Sequence, residues 1–146
     1  MKYIYLLLII PFVVTSCKKD DKIGEVSNIT GGYIYGQGLF ILNEGTFMGG
    51  NGSIYFYNNH VDELYKDVFL DINQRPLGDI PSNMEINGDK TFIVVNNSGK
   101  IEVVNTYDFL SIGTIEGFSS PREIEVINNE KAYVSDLSEP FIYIVN

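Results

Sequence analysis

Cysteine, histidine, tryptophan and positive charge are all scarce in this chain. One cysteine, one histidine and no tryptophan occur among 146 residues. A single cysteine excludes an internal disulfide. The single histidine, His60, falls in a predicted turn, so neither a histidine metal cluster nor a Ser-His-Asp arrangement is expected. Ten Lys and Arg stand against nineteen Asp and Glu, a net charge of −9. Phosphate binding needs clustered Lys and Arg, so nucleic acid is not an expected partner. The same deficit argues against adhesion of the folded surface to anionic lipid. Gly49-Gly50-Asn51-Gly52 is glycine-rich but lacks the Lys and Ser/Thr that complete a phosphate loop. Asp and Glu are scattered, with no pair set for acid–base work. No cofactor is implied, and binding is expected rather than catalysis.

What remains is a chain of 45% hydrophobic residues with ten Tyr and nine Phe. That is enough apolar material for one domain with a core. Aromatic and β-branched residues suit pleated, half-buried surfaces, so the fold is expected to be all-β.

The N-terminus reads as an address. Met1-Lys2 is positively charged, and Tyr3 to Val14 is apolar apart from Pro11. Such a run is too short for a permanent membrane helix and suits a signal peptide over residues 1–16. Val14-Thr15-Ser16-Cys17 follows and resembles the lipobox of bacterial lipoproteins. That resemblance implies lipidation of Cys17 and a lipid-anchored, surface-exposed place on the outer membrane. Several acyl chains on one residue anchor stably without a transmembrane helix. The alternative is an ordinary signal peptide beside a chance cysteine. Lys18-Lys19-Asp20-Asp21-Lys22 resembles a surface-export signal of Bacteroidetes lipoproteins, or is simply a solvated tether over residues 17–32.

From residue 33 to 146 a repeat emerges. Phe92 and Tyr133, Ile101 and Ile142, Lys90 and Lys131, and Ile86 and Ile127 are each 41 residues apart. A period near 41 built from short apolar strands is a propeller-blade pattern, and helical periodicity is absent. An earlier copy aligns Phe40–Asn43 with Ile93–Asn96 at an offset of 53, and Ile54–Asn58 with Ile101–Asn105 at 47, which predicts six extra residues between those strands. The expected architecture is a β-propeller of four-stranded antiparallel blades at about 33–70, 84–116 and 123–146. The first blade is read as strands at Tyr33–Tyr35, Leu39–Asn43, Ser53–Asn58 and near Leu64–Phe69. The second is read at Met84–Asn87, Thr91–Val95, Ile101–Asn105 and Phe109–Ile115. The third is read at Glu123–Asn128, Lys131–Ser135 and Phe141–Asn146. Two and a half to three blades fall short of a closed ring, so the chain reads as truncated.

In such a blade, the connections after the second and fourth strands lie on one face. Here they include Glu44–Gly52, about Asp71–Asn83, and Gly117–Arg122. Long loops on rigid scaffolds commonly bind, although they are also simply tolerated. The candidate rim is therefore Asn43, Glu44, Phe47, Asn51, Asn83, Arg122 and Glu123, with Glu85 beside Asn83 at the channel mouth. Arg122 suits a carboxylate, phosphate or amide, or pairs with Glu123 or Glu125. Asn58-Asn59, Asn96-Asn97 and Asn128-Asn129 read as turn formers.

Leu39 to Asn58, LFILNEGTFMGGNGSIYFYN, resembles the opening blade of YncE-like propeller lipoproteins of Bacteroidetes. Ile86–Asn105 and Ser120–Ser135 resemble their inner blades. The resemblance implies a usually seven-bladed fold. Through the BtuG-type group it also implies a small-molecule nutrient such as cobalamin, passed to a TonB-dependent transporter. The alternatives are a protein-interaction or envelope-scaffold propeller, and a lactonase-like propeller enzyme.

Overall fold

The computed structural model describes residues 38–146. Cys17, the signal peptide, the tether and the strand expected at Tyr33–Tyr35 lie outside the described residues. The fold is all-β, built from three antiparallel sheets in chain order with one short helix. The first sheet holds β1 (Gly38–Asn43), β2 (Ser53–Asn58) and β3 (Glu63–Tyr65). Helix α1 (Val68–Asn73) follows. The second sheet runs in order β4 (Pro81–Asn87), β5 (Lys90–Val95), β6 (Lys100–Asn105) and β7 (Ser111–Glu116). The third comprises β8 (Pro121–Asn128), β9 (Lys131–Asp136) and β10 (Tyr143–Val145). Among the described residues no helix is long and apolar enough to cross a membrane.

Local chemistry explains where the strands turn. Gly88, at φ 61°, and Asp89 link β4 to β5, and Asn129-Glu130 links β8 to β9. Gly88 takes the left-handed backbone that a side chain disfavours, which closes a two-residue hairpin. At the other hairpin the Asn128 side chain accepts from the Glu130 N–H at 2.9 Å. Asn58 and Asn105 fold their connections in the same way, accepting from His60 N–H and Tyr107 N–H. His60 is an exposed turn residue. Pro81 and Pro121 open β4 and β8, where a missing N–H costs no ladder bond.

The sheets stack face to face around two apolar layers. Phe40, Leu42, Ile54 and Phe56 of the first sheet meet Met84, Ile93, Val95 and Val104 of the second, with Val68, Phe69 and Phe109 filling the edge. Phe40 stacks on Phe109 at 5.1 Å between ring centroids. On its other side the second sheet turns Phe92, Val94, Ile101 and Ile115 toward Ile124, Ala132, Val134 and Val145 of the third. Strand alternation thus makes both faces of the second sheet apolar.

The structure corrects the sequence reading in register and in boundaries. Nine residues separate β1 from β2 and four separate β5 from β6, a difference of five rather than six. Phe40 pairs with Phe56 as Phe92 pairs with Val103, so Phe40 is the counterpart of Phe92, not Ile93. A slip of one residue exchanges the faces of a strand, and only the corrected register turns Phe40 inward. The strand expected at Leu64–Phe69 ends at Tyr65. Asp67 then caps α1, accepting from Leu70 N–H, and Phe69 is buried on the helix instead. The strand expected at Phe109–Ile115 starts at Ser111, and that at Phe141–Asn146 shortens to Tyr143–Val145. Strands β4 and β8 begin at Pro81 and Pro121, earlier than expected, which takes Asn83 and Arg122 out of connections and into strands, while Glu123 lies in a strand as read.

Candidate functional rim

Antiparallel alternation carries the connections 44–52, 74–80, 96–99, 117–120 and 137–142 to one end of the sheets. They are knotted together there by side-chain bonds to backbone. Asp79 is buried, and its Oδ2 accepts from Met48 N–H at 2.7 Å and from Asn97 Nδ2 at 2.5 Å. Its own N–H donates to Ser98 Oγ at 2.9 Å. Asn96, buried at the start of a 3-10 turn (Asn96–Ser98), donates from Nδ2 to Ser120 Oγ at 2.9 Å and to the Pro121 carbonyl at 2.7 Å. Asp136 accepts from Ser120 N–H at 2.8 Å and from Ser138 N–H at 2.9 Å. A path of hydrogen bonds and short chain segments therefore runs from Met48 to Ser138 across all three sheets.

The backbone repeats a device along this path. Asn96 N–H donates to the Ile80 carbonyl and Leu137 N–H to the Ser120 carbonyl, both at 2.8 Å. Each accepting residue precedes the proline that opens the donor's own sheet. Close approach demands glycine at two places. At Gly78, with φ 134°, a Cβ would sit 2.6 Å from Ser98 Oγ. At Gly99, with φ 61°, it would sit 2.9 Å from the Phe118 carbonyl oxygen. Ile80, a β-branched residue, is held at φ 59° beside Asp79. That conformation costs on the order of 1–3 kcal/mol and persists only where the surroundings enforce it.

Two buried polar atoms at this end have no protein partner: Asp79 Oδ1 and Asn43 Nδ2. Buried polar atoms are satisfied as a rule, so an unmatched acceptor and donor mark where water or a ligand group would be held.

The seven expected rim residues separate into three groups. Asn43, Glu44, Phe47 and Asn51 do sit on the β1–β2 connection or its edge. Phe47 is 68% exposed, while Asn51 folds its own loop by accepting from Thr46 N–H at 2.8 Å. Asn83 is engaged between sheets, with Oδ1 accepting from Ile124 N–H at 3.3 Å. Glu85 behaves alike, accepting from Val126 N–H at 3.0 Å, so neither residue stands free at a channel mouth. Arg122 and Glu123 are exposed on β8. The ion pair considered for Arg122 with Glu123 or Glu125 does not form among the described residues. Arg122 sits at a register irregularity of β8, as Ser82 does in β4, and Ser82 Oγ donates to the Arg122 carbonyl at 2.9 Å. Such bulges re-aim a side chain, which leaves the guanidinium free to recruit an anion.

Sequence reasoning missed Asp79, Asn96, Ser120 and Asp136. The available signal was the parallel between Asp79-Ile80-Pro81 and Ser119-Ser120-Pro121, each with a polar residue two places before a strand-opening proline. Asn96, read as a turn former, is in fact a buried bridge between sheets. Two clefts lie elsewhere. One of about 330 Å³ opens at the hairpin end between the second and third sheets, lined by Phe92, Ile115, Val126 and Ala132. A more polar one of about 260 Å³ adjoins it at Asn87, Asp89 and Asn128. Among the described residues no group of His, Cys, Asp or Glu is placed to hold a metal ion.

The other conspicuous electrostatic feature is structural. Glu102 on β6 is fully buried and meets Arg75 at 2.5 Å, Lys100 at 3.0 Å and Ser111 Oγ at 2.5 Å. Burial pushes its carboxyl pKa up, but hydrogen bonds from Arg75, Ser111 and Lys100 outweigh that and hold it below the usual value. Arg75 also lies 5.0 Å over the Phe69 ring, so the cluster ties the α1 region to the second sheet.

Stacked antiparallel sheets in tandem, joined by connections gathered at one end, define an all-β repeat protein. Residues 37–146 match the family model described as Domain of unknown function (DUF5074). That match covers most of the chain, and the chain belongs to this family. No curated protein matches it.

Proposed function

We propose that this chain is an exported lipoprotein, anchored by Cys17 on the surface of a bacterial outer membrane, whose sheets are blades of a YncE-like β-propeller. Its role is to bind a small-molecule nutrient, with cobalamin the named candidate, for a TonB-dependent transporter, without catalysing a reaction. The observation that carries the reading is the rim itself. Connections from all three sheets meet at one end, around a buried Asp79 oxygen that no protein donor satisfies. A rigid scaffold with adaptable connections and a few fixed polar groups is how binding sites are commonly built. Phe47 and Met48 are exposed on the connection whose Met48 N–H meets Asp79, and Arg122 is exposed on β8; they offer apolar contact and a positive charge.

Calorimetry of the full chain with cobalamin tests the ligand. Saturable heat is expected, weakened about tenfold or more by Asp79→Ala or Phe47→Ala. No heat at saturating ligand removes cobalamin from the proposal. Binding unaffected by either variant moves the site off this rim, with the hairpin-end cleft the next place to look. A scaffold role without a small ligand is the second reading. It is favoured by Phe47, Met48 and Leu137, which are exposed on the connections at the rim end and suit an apolar protein contact.

A further inference from the structure

At the end of the sheets opposite the rim, the hairpins β4–β5 and β8–β9 enclose the polar cleft of about 260 Å³. The first hairpin contributes Asn87, Asp89 and Lys90, and the second contributes Asn128 and Asn129. Phe92 and Val126 add an apolar wall. The hairpins are equivalent in the repeat, since Asn87 and Asn128 are 41 residues apart, as are Lys90 and Lys131. They differ in one respect. Strand β4 pairs without interruption from Met84 to Asn87, whereas β8 carries an extra residue, Ile127, between Val126 and Asn128. Such a bulge re-aims the side chains beside it and recurs next to active sites. The two residues flanking this one both line the cleft.

The polar groups are uncommitted within the protein. Among the described residues the side chains of Asn87, Asp89, Lys90 and Asn129 make no hydrogen bond or ion pair. Asn128 uses only Oδ1, which accepts from Glu130 N–H at 2.9 Å, so its Nδ2 is unused. The backbone beneath them is fixed by comparison. Glu85 Oε1 accepts from Val126 N–H at 3.0 Å and so ties one wall to the other. Thr106 N–H donates to the Asp89 carbonyl at 2.9 Å, and the Thr106 hydroxyl meets that of Thr91 in the interior, also at 2.9 Å. A scaffold already ordered loses little freedom when a ligand arrives.

Size and chemistry then narrow the ligand. The volume lies just below the roughly 300–1,000 Å³ of pockets for drug-sized molecules, so one small ring is the limit. Asp89 and Lys90 oppose each other in sign, so neither an anion nor a cation meets a site of one charge. Three amides, a carboxylate and an ammonium offer donors and acceptors together, which hydroxyl groups can satisfy from both sides. An apolar ring would leave those groups buried without partners. We infer that this cleft is a second binding site, separate from the rim, for one pyranose ring of a neutral sugar. Its C–H face lies on Phe92 and Val126, and its hydroxyls meet Asn87, Asp89, Lys90, Asn128 and Asn129.

Titration of the ¹⁵N-labelled full chain, in a detergent without a sugar headgroup, tests this by amide chemical shifts. The probes are the methyl pyranosides of glucose, galactose and mannose, with cyclohexanol and glucuronate beside them. At least one methyl pyranoside should give saturable shifts centred on residues 87–92 and 126–131, with the millimolar affinity of a small site. Asp89→Ala and Asn129→Ala should each weaken it about tenfold. Neither side chain is bonded within the protein, so the rest of the spectrum should stay in place. If either variant disturbs residues beyond the two hairpins, Lys90→Met takes its place in the comparison. Four results would each overturn the inference: no saturable shift with any methyl pyranoside, cyclohexanol binding as well as the sugars, glucuronate binding more tightly than methyl glucoside, or variants that bind as the parent does.

Discussion

Neutralising Glu102 should loosen the join between the first and second sheets, and the size of the effect follows from its partners. Glu102→Gln keeps the volume but removes the charge that Arg75, Lys100, Ser111 and Thr114 surround. It also points an amide donor at existing donors. Breaking a fully buried ion pair costs about 3–5 kcal/mol. Here the Arg75 side chain is 41% exposed and that of Lys100 18%, so both recover water and the loss falls to about 2 kcal/mol. For a domain near this size, that lowers Tm by roughly 8–12 °C. Urea unfolding followed by circular dichroism measures it, and Arg75→Met completes a double-mutant cycle. Removing the half-exposed arginine alone should cost about 1 kcal/mol, because Lys100 and Ser111 still serve the carboxylate. The pH dependence adds a second check. A carboxyl held below its ordinary value of 4.5 gives its full stabilisation above that value. The gap between parent and Glu102→Gln should stay constant down to that point and close as pH falls through the folded-state pKa. Equal stability of the two proteins at neutral pH, or a gap that widens in acid, would refute the reasoning.

Asp67 offers the opposite sign. Burial, with Asp71 adding to it, raises its carboxyl pKa despite the Leu70 N–H, so the charged form is disfavoured in the folded state. Asp67→Asn keeps an acceptor for the helix cap and suits the φ of 46°. It should therefore raise the urea midpoint at neutral pH, with the advantage fading as pH drops through the Asp67 pKa. Cys17→Ala should release the protein from membranes; unchanged membrane fractionation would defeat the lipoprotein assignment.

Strand positions were legible because alternation and β-branching act locally. The equal offsets from Lys90 to Lys131 and from Ile101 to Ile142 mark strands that do pair in equivalent registers. What resisted reading was anything decided by a distant partner. The helix at Val68–Asn73 carries the same apolar residues as a strand would. It forms because Asp67 caps it and Asn73 reaches Phe109 and Ser111 on the second sheet. The one-residue slip at Phe40 arose because Ile41-Leu42-Asn43 and Val94-Val95-Asn96 look alike in composition. Only the pairing with β2 separates the two registers.

The rim illustrates the same division more sharply. Its exposed candidates, Phe47 and Arg122, were proposed from loop length and residue type, and Arg122 lies on β8. Asp79 and Asn96 were not, because each is an ordinary turn residue until connections from different sheets converge on it. Exposed rim residues can vary to suit a ligand without touching the scaffold. Asp79 cannot, since it holds Met48 and Asn97 in place while leaving one oxygen unmatched. The identity of a bound molecule would then rest on the replaceable residues, and the existence of a site on the buried ones. That is why a family resemblance names a ligand class weakly, while the buried Asp79 gives the proposed site a fixed point at which it can be tested.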